Sequence, residues 1–288
     1  MTHAIVQARG LSRTFGKLRA VDNVDLDIPA GAVVGLIGPN GAGKTSLLRT
    51  LLGLSAHQGN LEVLGTNPRR QRAELMKLVS FIADTAVLPG WMKVKQLLDY
   101  VAGVHPQFDL SAAEQFLHTT DVGMNRKIRE LSKGMTVQLH LAMVMAIDAR
   151  LLVLDEPTLG LDILFRKRFF DQLLNDYFFG DRTIIISTHQ VEEVENILTH
   201  VVFMNHGKVI INNALSEIEQ DYIELHAVGE AAAKARAIPH IGSRNILGGQ
   251  AIIYEHTDQT LLSPLGELRT PSVSNLFVAK ITGGTHHE

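Results

Sequence analysis

The fold of this chain follows from the stretch Gly38-Pro39-Asn40-Gly41-Ala42-Gly43-Lys44-Thr45. The stretch fits the pattern G-x-x-x-x-G-K-[ST], which is typical of a loop that binds the phosphates of a nucleotide. Five apolar residues, Val33 to Ile37, come directly before it, and leucines at positions 47, 48, 51 and 52 follow it. We expect a strand buried in a mostly parallel sheet, then the loop, then a helix that Gly53 ends.

The residue types in this loop each have a chemical reason. Glycines let the backbone wrap closely and point its N–H groups inward, and the helix N-terminus adds partial positive charge. Lys44 neutralises the β- and γ-phosphates, and the hydroxyl of Thr45 takes a position on Mg²⁺. An ordinary glycine-rich turn would not need the Lys-Thr pair or the strand and helix around it. The predicted nucleotide contacts are Gly38, Pro39, Asn40, Gly41, Ala42, Gly43, Lys44, Thr45 and Ser46.

Two adjacent acids, Asp155 and Glu156, follow the apolar run Leu151–Leu154. Burying carboxylates at a strand end is costly unless both are used. We expect Asp155 to hold Mg²⁺ through water and Glu156 to polarise the attacking water as general base. Taken alone, the pair could equally form a helix cap or a salt bridge; after the phosphate loop that alternative is minor.

His189 follows a third buried strand, Thr183–Ser187. A single histidine at a strand end is more often a satisfied structural residue than a catalyst. Because this strand is predicted in the same sheet as the phosphate loop, we interpret His189 as a sensor of the γ-phosphate. The predicted catalytic residues are therefore Glu156, His189 and Lys44.

The composition of the whole chain is that of an ordinary globular protein. It has 288 residues, of which 45% are hydrophobic and 20% charged, a formal net charge of −3 and no cysteine. The charge gives no basic footprint for nucleic acid, and disulfides or thiolate metal sites are excluded. We expect neither a signal peptide nor a membrane span, so that any work at a membrane needs a partner.

The patterns along the chain predict its organisation. Alternation at Val24, Leu26 and Ile28 indicates a half-buried strand, and helical faces dominate from about 85 to 150. Asn205-His206-Gly207 is expected to join two strands as a hairpin. From about residue 216 the composition loosens, and we expect a small α+β appendage over 216–288. His286 and His287 are most simply part of a disordered tail.

The segment Leu131-Ser132-Lys133-Gly134-Met135 resembles the signature motif L-S-G-G-Q of ABC transporters. The phosphate loop, this motif, the acid pair, Leu161-Asp162 and His189 stand in the order of that family, and the resemblance covers about residues 4–215. The variant L-S-K-G-M is similar to that of ABC-2-type exporters of drugs and peptide antibiotics. The resemblance implies an α/β P-loop NTPase core with an antiparallel β subdomain and an α-helical subdomain, followed by the C-terminal appendage.

The family resemblance also implies further contacts with ATP. Ser132 and Gly134 would donate to the γ-phosphate across a head-to-tail dimer that holds two ATP molecules, and Asp162 would belong to the D-loop. Phe15 stands where the family places an aromatic on adenine, although a core phenylalanine is nearly as plausible on local evidence. Val21 is a weaker candidate for the same contact.

Two positions in the resemblance stay open. Asp84 stands where the family has a glutamine that contacts Mg²⁺ and links the site to the membrane subunit. Aspartate is shorter and negatively charged, so it either reaches the metal through water or weakens that linkage. The predicted metal ligands are Thr45, Asp155 and Asp84. Trp91 lies in the loop Leu88-Pro89-Gly90-Trp91-Met92. It is either an anchor for a membrane subunit or a cap on the core of the helical subdomain.

The sequence thus predicts an ATPase motor, with ATP and Mg²⁺, for an ABC transporter. We expect an exporter on the cytoplasmic face of a bacterial membrane, docked on a separate permease and acting as a homodimer or a heterodimer with a related ATPase. A soluble ABC ATPase acting on ribosomes or nucleic acid is the alternative, and a regulatory subunit that barely hydrolyses ATP is a third.

Overall fold

The computed structural model describes residues 4–82, 88–178 and 182–282. Within these ranges the strands form three sheets, of three, six and four strands. The six-stranded sheet lies at the centre, and the position of every candidate site residue is best described from it.

Apolar runs build the central sheet, in the spatial order β5-β6-β7-β3-β8-β9. Its strands are β3 (Val33–Ile37), β5 (Val79–Ile82), β6 (Leu151–Asp155), β7 (Thr183–Thr188), β8 (His200–Asn205) and β9 (Lys208–Ala214). Every residue of β3, β6 and β7 is buried, which agrees with a sheet covered on both faces. The strands are parallel except for β9, which pairs antiparallel with β8.

The second sheet is antiparallel and lies over one face of the central sheet. It consists of β1 (Ala4–Phe15), β2 (Leu18–Pro29) and β4 (Gln58–Val63), with β1 in the middle. Val24, Leu26 and Ile28 point inward as their alternation predicts. Their core also contains the leucines of α1 (Lys44–Leu51), so the helix after the phosphate loop is held between the two sheets.

Helices cover the opposite face of the central sheet. Between β4 and β6 the chain forms α2 (Arg72–Leu75), α3 (Val94–Val104), α4 (Leu110–His118) and α5 (Lys133–Met145). Side chains of the last three pack in one core with Leu152 and Leu154 of β6. The helix α6 (Ile163–Gln172) follows β6 and continues as a π-helical turn over Leu173–Tyr177.

The remaining residues form the third, antiparallel sheet and its helices. The strands are β10 (Tyr222–Ala227), β11 (Gly242–Ile246), β12 (Gly249–Glu255) and β13 (Glu267–Arg269), and the helices are α7 (Leu215–Asp221), α8 (Gly229–Arg236), α9 (Gln259–Leu262) and α10 (Val273–Thr282). Leu276 belongs to the same core as Phe203 of β8. One apolar core therefore extends past residue 215, where we predict a domain boundary; the boundary itself stays a prediction.

The hairpin between β8 and β9 is tighter than predicted. Asn205 still belongs to β8, and only His206 and Gly207 form the loop. Both have positive φ angles, 46° and 80°, as expected for a two-residue turn that matches the twist of its strands. In the described residues, no helix is long and apolar enough to cross a membrane.

Three histidines make the stability of this fold sensitive to acid. Burial lowers the pKa of His57, His140 and His200 below the ordinary value of 6.5. Each also has one buried ring nitrogen with no hydrogen-bond partner among the described residues. The folded chain therefore binds protons on these rings less readily than the unfolded chain, whose histidines take up protons as the pH falls through about 6.5.

We predict that the melting temperature falls between pH 7.5 and pH 5.5, because the unfolded state gains more protons on these histidines than the folded state does in that range. The measurement is a thermal melt at each pH. The triple variant His57→Gln, His140→Gln, His200→Gln should show a smaller fall in melting temperature between the two pH values than the unchanged chain. An equal fall in melting temperature in both chains would contradict the assignment of this pH dependence to the three histidines.

Candidate active site

The phosphate loop leaves β3 and enters α1 through positions that only glycine fits. Gly43 has a φ of 105°, and a Cβ there would lie 2.1 Å from the carbonyl oxygen of Ala20. A Cβ on Gly38 would lie 2.4 Å from the carbonyl oxygen of Met204. The loop is therefore packed against β2 and β8, and its backbone N–H groups lie at the N-terminus of α1, where they can face an anion.

Lys44, the first residue of α1, is held inside this loop. Its Nζ donates to the carbonyl oxygen of Gly38 at 2.7 Å and lies 3.3 Å from Oε1 of Glu156. The side chain is only 7% exposed. An ammonium group in this position can exchange these oxygens for phosphate oxygens without moving its backbone.

Glu156 lies between the side chains of Lys44 and His189. His189 Nδ1 lies 2.9 Å from Oε2 of Glu156, while Lys44 lies at the other oxygen. The backbone of Glu156 has a positive φ of 49°, and its N–H is held by the carbonyl and the hydroxyl of Ser187 on β7. The structure thus brings Lys44, Glu156 and His189 together, in an arrangement suited to a general base that an imidazole orients.

Asp155 and Thr45 are the described oxygen donors of the predicted magnesium site. Asp155 is fully buried, and the Ser187 hydroxyl donates to its Oδ1. Thr45 lies in the first turn of α1 and lines the nucleotide cleft. Two hard oxygen ligands, with phosphate oxygens and water, fit the way Mg²⁺ is bound in such sites.

Among the described residues no three His, Asp or Glu side chains cluster as a metal site, and Asp84 lies outside those residues.

A cleft of about 410 Å³ opens beside the phosphate loop. Its lining consists of Phe15, Leu18, Arg19, Ala20, Asn40, Gly41, Ala42, Gly43, Lys44, Thr45, Ser46, Glu156, His206 and Gly207. Most of the predicted phosphate-loop contacts therefore lie in one cleft with Glu156. Its size and mixed lining are those of a small-molecule site.

Phe15 and Val21 occupy different environments. Phe15 is 48% exposed at the cleft, with the Arg13 guanidinium 4.3 Å from the centroid of its ring. Val21 is fully buried in the core and is not among the described residues that line the cleft, and its contact with the base stays a prediction. A second exposed apolar side chain in the cleft from this hairpin is Leu18, which no sequence pattern singles out.

His206 is a second cleft residue that sequence reasoning missed. It lies in the β8–β9 turn, which is fastened to the site because Gly207 N–H donates to the carbonyl of Ala42 at 2.9 Å. The sequence signal was the turn itself, Asn205-His206-Gly207, which predicts a hairpin but not where the hairpin packs. Only the pairing of β3 with β8 brings this imidazole to the nucleotide cleft.

The signature residues lie away from this cleft. Ser132 is the exposed N-cap of α5, and its hydroxyl accepts from the N–H of Met135 at 3.2 Å. Neither Ser132 nor Gly134 is among the described residues that line the cleft. Asp162 caps α6 in the same way and accepts from Phe165 N–H at 2.9 Å. Within one chain these three residues are therefore helix caps or neighbours of caps.

Trp91 is 73% exposed, which excludes it as a cap on the core of the helical segment. Its side chain is available to a partner. His286 and His287 lie outside the described residues.

Comparisons with known proteins agree with this geometry. A family model described as "ABC transporter" matches residues 21–159. The chain is 31% identical over 240 residues to the Nod factor export ATP-binding protein I of Cupriavidus metallidurans, with 77% of each chain covered. It is 27% identical over 300 residues to a daunorubicin resistance ATP-binding protein of Streptomyces coeruleorubidus, covering 100% of this chain and 92% of that one.

The fold has a counterpart among solved structures. An ATP binding subunit of an ABC transporter superposes with a TM-score of 0.68 at 22% identity, covering 75% of this chain and 92% of the other. At this identity the likeness shows the fold alone. The predicted fold class, an α/β P-loop core with an antiparallel sheet and a helical part, is confirmed.

We predict that Glu156→Gln lowers kcat for ATP hydrolysis by about 100-fold or more, because an amide cannot accept the proton of the attacking water. Glutamine keeps the shape of the side chain, so ATP affinity should stay within about threefold. Single-turnover hydrolysis and equilibrium binding of labelled ATP measure the two quantities. Glu62→Gln, a change at an exposed position on β4, is the control. Unchanged kcat in the Glu156 variant would show that another group acts as base.

Proposed function

This chain belongs to the ABC transporter family, and on that premise we propose that it is the ATP-hydrolysing motor subunit of a bacterial exporter. ATPases of this family are coupled to transport. The observation that carries the proposal is the contact of Glu156 with both Lys44 and His189 at the phosphate loop. A loop that only bound a nucleotide would not need a carboxylate held in this way.

The contacts of Lys44 suggest how ATP binding prepares hydrolysis. Phosphate oxygens compete with Glu156 and the Gly38 carbonyl for the ammonium group of Lys44. When Lys44 turns to the phosphates, Glu156 loses its ion pair with Lys44 and keeps its contact with the imidazole of His189. Its carboxylate is then free to orient water. Thr45 and Asp155, with Asp84, would hold Mg²⁺, which neutralises charge on the transferred phosphate.

We further propose that a second chain completes the site. Ser132 and Gly134 stand at the N-terminus of α5, a place suited to an anion, yet they do not line the cleft of their own chain. A second subunit placed head to tail would bring its α5 to the phosphates. ATP would then join the two subunits and hydrolysis would release them.

Exposed apolar side chains support this dimer. Leu159, Ile163 and Leu164 are 53%, 79% and 71% exposed, and they flank the N-cap Asp162 of α6. Such a group of apolar side chains beside a catalytic loop is typical of a surface that a protein partner covers. The dimer would cover it next to Glu156.

The partner in the membrane is proposed to be a separate permease. One relative is named for export of Nod factor and another for resistance to daunorubicin, and both are named as ATP-binding proteins. By analogy the chain would act at the cytoplasmic face of the membrane, with Trp91 as one contact to the permease. The net charge of −3 gives no support to the alternative action on ribosomes or nucleic acid.

We predict that the Glu156→Gln chain is a dimer with ATP and Mg²⁺ and a monomer with ADP, because only ATP bridges both subunits. Light scattering after gel filtration measures the mass. Adding Ser132→Ala should weaken the dimer by about tenfold, since one hydrogen bond to a phosphate is lost. Asp109→Ala removes the equivalent cap of α4 and is the matched control. Equal weakening by both changes would contradict the dimer geometry.

Affinity purification of the tagged chain from its own cells after mild detergent extraction tests the transport function. We expect a protein with several membrane spans to co-purify in fixed stoichiometry, because the motor must act on a permease. A Trp91→Ala chain should recover less of it, and Tyr100→Ala, another exposed aromatic, is the control. Recovery of ribosomes or nucleic acid without a membrane protein would favour the alternative.

A further inference from the structure

The segment that follows His189 carries three glutamates that contact different parts of the molecule. It forms two short 3₁₀ turns, Val191–Glu193 and Glu195–Ile197, between β7 and β8. Glu192, Glu193 and Glu195 each have a specific partner elsewhere. We call residues 191–197 the switch segment, because it continues directly from His189.

Glu193 connects the switch segment to the loop between β6 and α6. Its Oε2 accepts from the hydroxyl of Thr158 at 2.9 Å, and its Oε1 forms an ion pair with Arg166. Arg166 also donates to the carbonyl of Leu161 at 3.2 Å. The carboxylate of Glu193 is 14% exposed, and Thr158 is buried.

These contacts hold the loop 157–162 at both ends. Thr158 comes two residues after Glu156, and Leu161 precedes the N-cap of α6. The contact between Glu156 and His189 joins the residues that come just before these two segments. The chain after β6 and the chain after β7 are therefore joined at two places, first by the Glu156–His189 pair and then by Glu193.

Glu192 and Glu195 connect the switch segment to the last helix. The carboxylate of Glu195 accepts from the backbone N–H of Val273 at 2.7 Å, and the Ser274 hydroxyl donates to Glu192. This hydrogen bond lowers the pKa of Glu192, so that its carboxylate stays charged. Val191 and Val194 pack in the same core as Leu276 of α10.

We propose that Glu193 is a positioning residue for ATP hydrolysis and that α10 sets the rate by fixing the switch segment. Glu193 holds the loop 157–162 in a fixed position relative to the Glu156–His189 pair. Through that loop it also orients the apolar side chains around Leu159. The proposal rests on the ATP hydrolysis proposed above. In this proposal the C-terminal helix influences the rate of hydrolysis, although no residue of α10 is among the described residues that line the cleft.

A matched pair of substitutions at Thr158 tests the first link. Thr158→Val keeps the volume and removes the hydroxyl that donates to Glu193, whereas Thr158→Ser keeps a hydroxyl. We expect Thr158→Val to lower kcat by about tenfold, the cost of one hydrogen bond to a charged group, with KM for ATP within about twofold. Thr158→Ser should stay close to the unchanged chain. Glu193→Gln, which removes the ion pair with Arg166, should repeat the kcat loss.

Two changes in α10 test the second link. Ser274→Ala removes the hydroxyl that donates to Glu192. We expect kcat to fall severalfold while KM stays unchanged. Lys280→Met removes a different bond of α10, the ion pair with Glu255, and should leave kcat unchanged. Melting temperatures measured for every variant show whether a loss of rate merely follows a loss of stability.

The outcomes separate this inference from the proposed function. Absence of ATP hydrolysis by the unchanged chain would contradict the proposed function itself. Hydrolysis by the unchanged chain at a rate that Thr158→Val and Glu193→Gln both leave intact would overturn the inference alone. A fall in kcat that matches the fall in melting temperature across all variants, Lys280→Met included, would also overturn it, because the contacts would then be structural only.

Discussion

The strands β3, β6 and β7 lie side by side and run in the same direction, so their carboxyl ends meet at one edge of the central sheet. The phosphate loop leaves β3 there, Glu156 follows β6 and His189 follows β7. Every contact of the catalytic group depends on this register. A shift of one residue in any strand would turn its terminal side chain to the other face of the sheet.

The acids at this edge of the sheet are held by specific polar contacts. Lys44 and His189 lie on either side of Glu156, and Asp155 is held by the hydroxyl of Ser187, so that buried polar groups have partners. In the proposed mechanism, a nucleotide would bring negative charge to the ammonium of Lys44 and compete with Glu156 for it. The contact between Lys44 and Glu156 would then make the carboxylate responsive to ATP.

The residues proposed to bind ATP are divided between two surfaces. The cleft is lined by the phosphate loop and Glu156, whereas the signature residues Ser132 and Gly134 lie on another surface. The switch segment and the loop 157–162 connect the catalytic pair to two regions outside the cleft, the apolar surface around Leu159 and the helix α10. Under the proposals made above, catalysis would respond both to a second subunit and to the C-terminal helix.

The sequence by itself determined the fold class and the chemistry of the phosphate loop, because these follow from short runs whose backbone and side-chain requirements are local. Gly43, Lys44 and the buried run of β3 are examples. The sequence could not show that Val21 is buried while Leu18 and His206 line the cleft, or that Glu193 binds Thr158 and Arg166. These facts depend on how β8 pairs with β3 and how the segment after β7 packs on α6. Exposure and long-range contacts are properties of packed elements distant in sequence, and only the tertiary structure decided them.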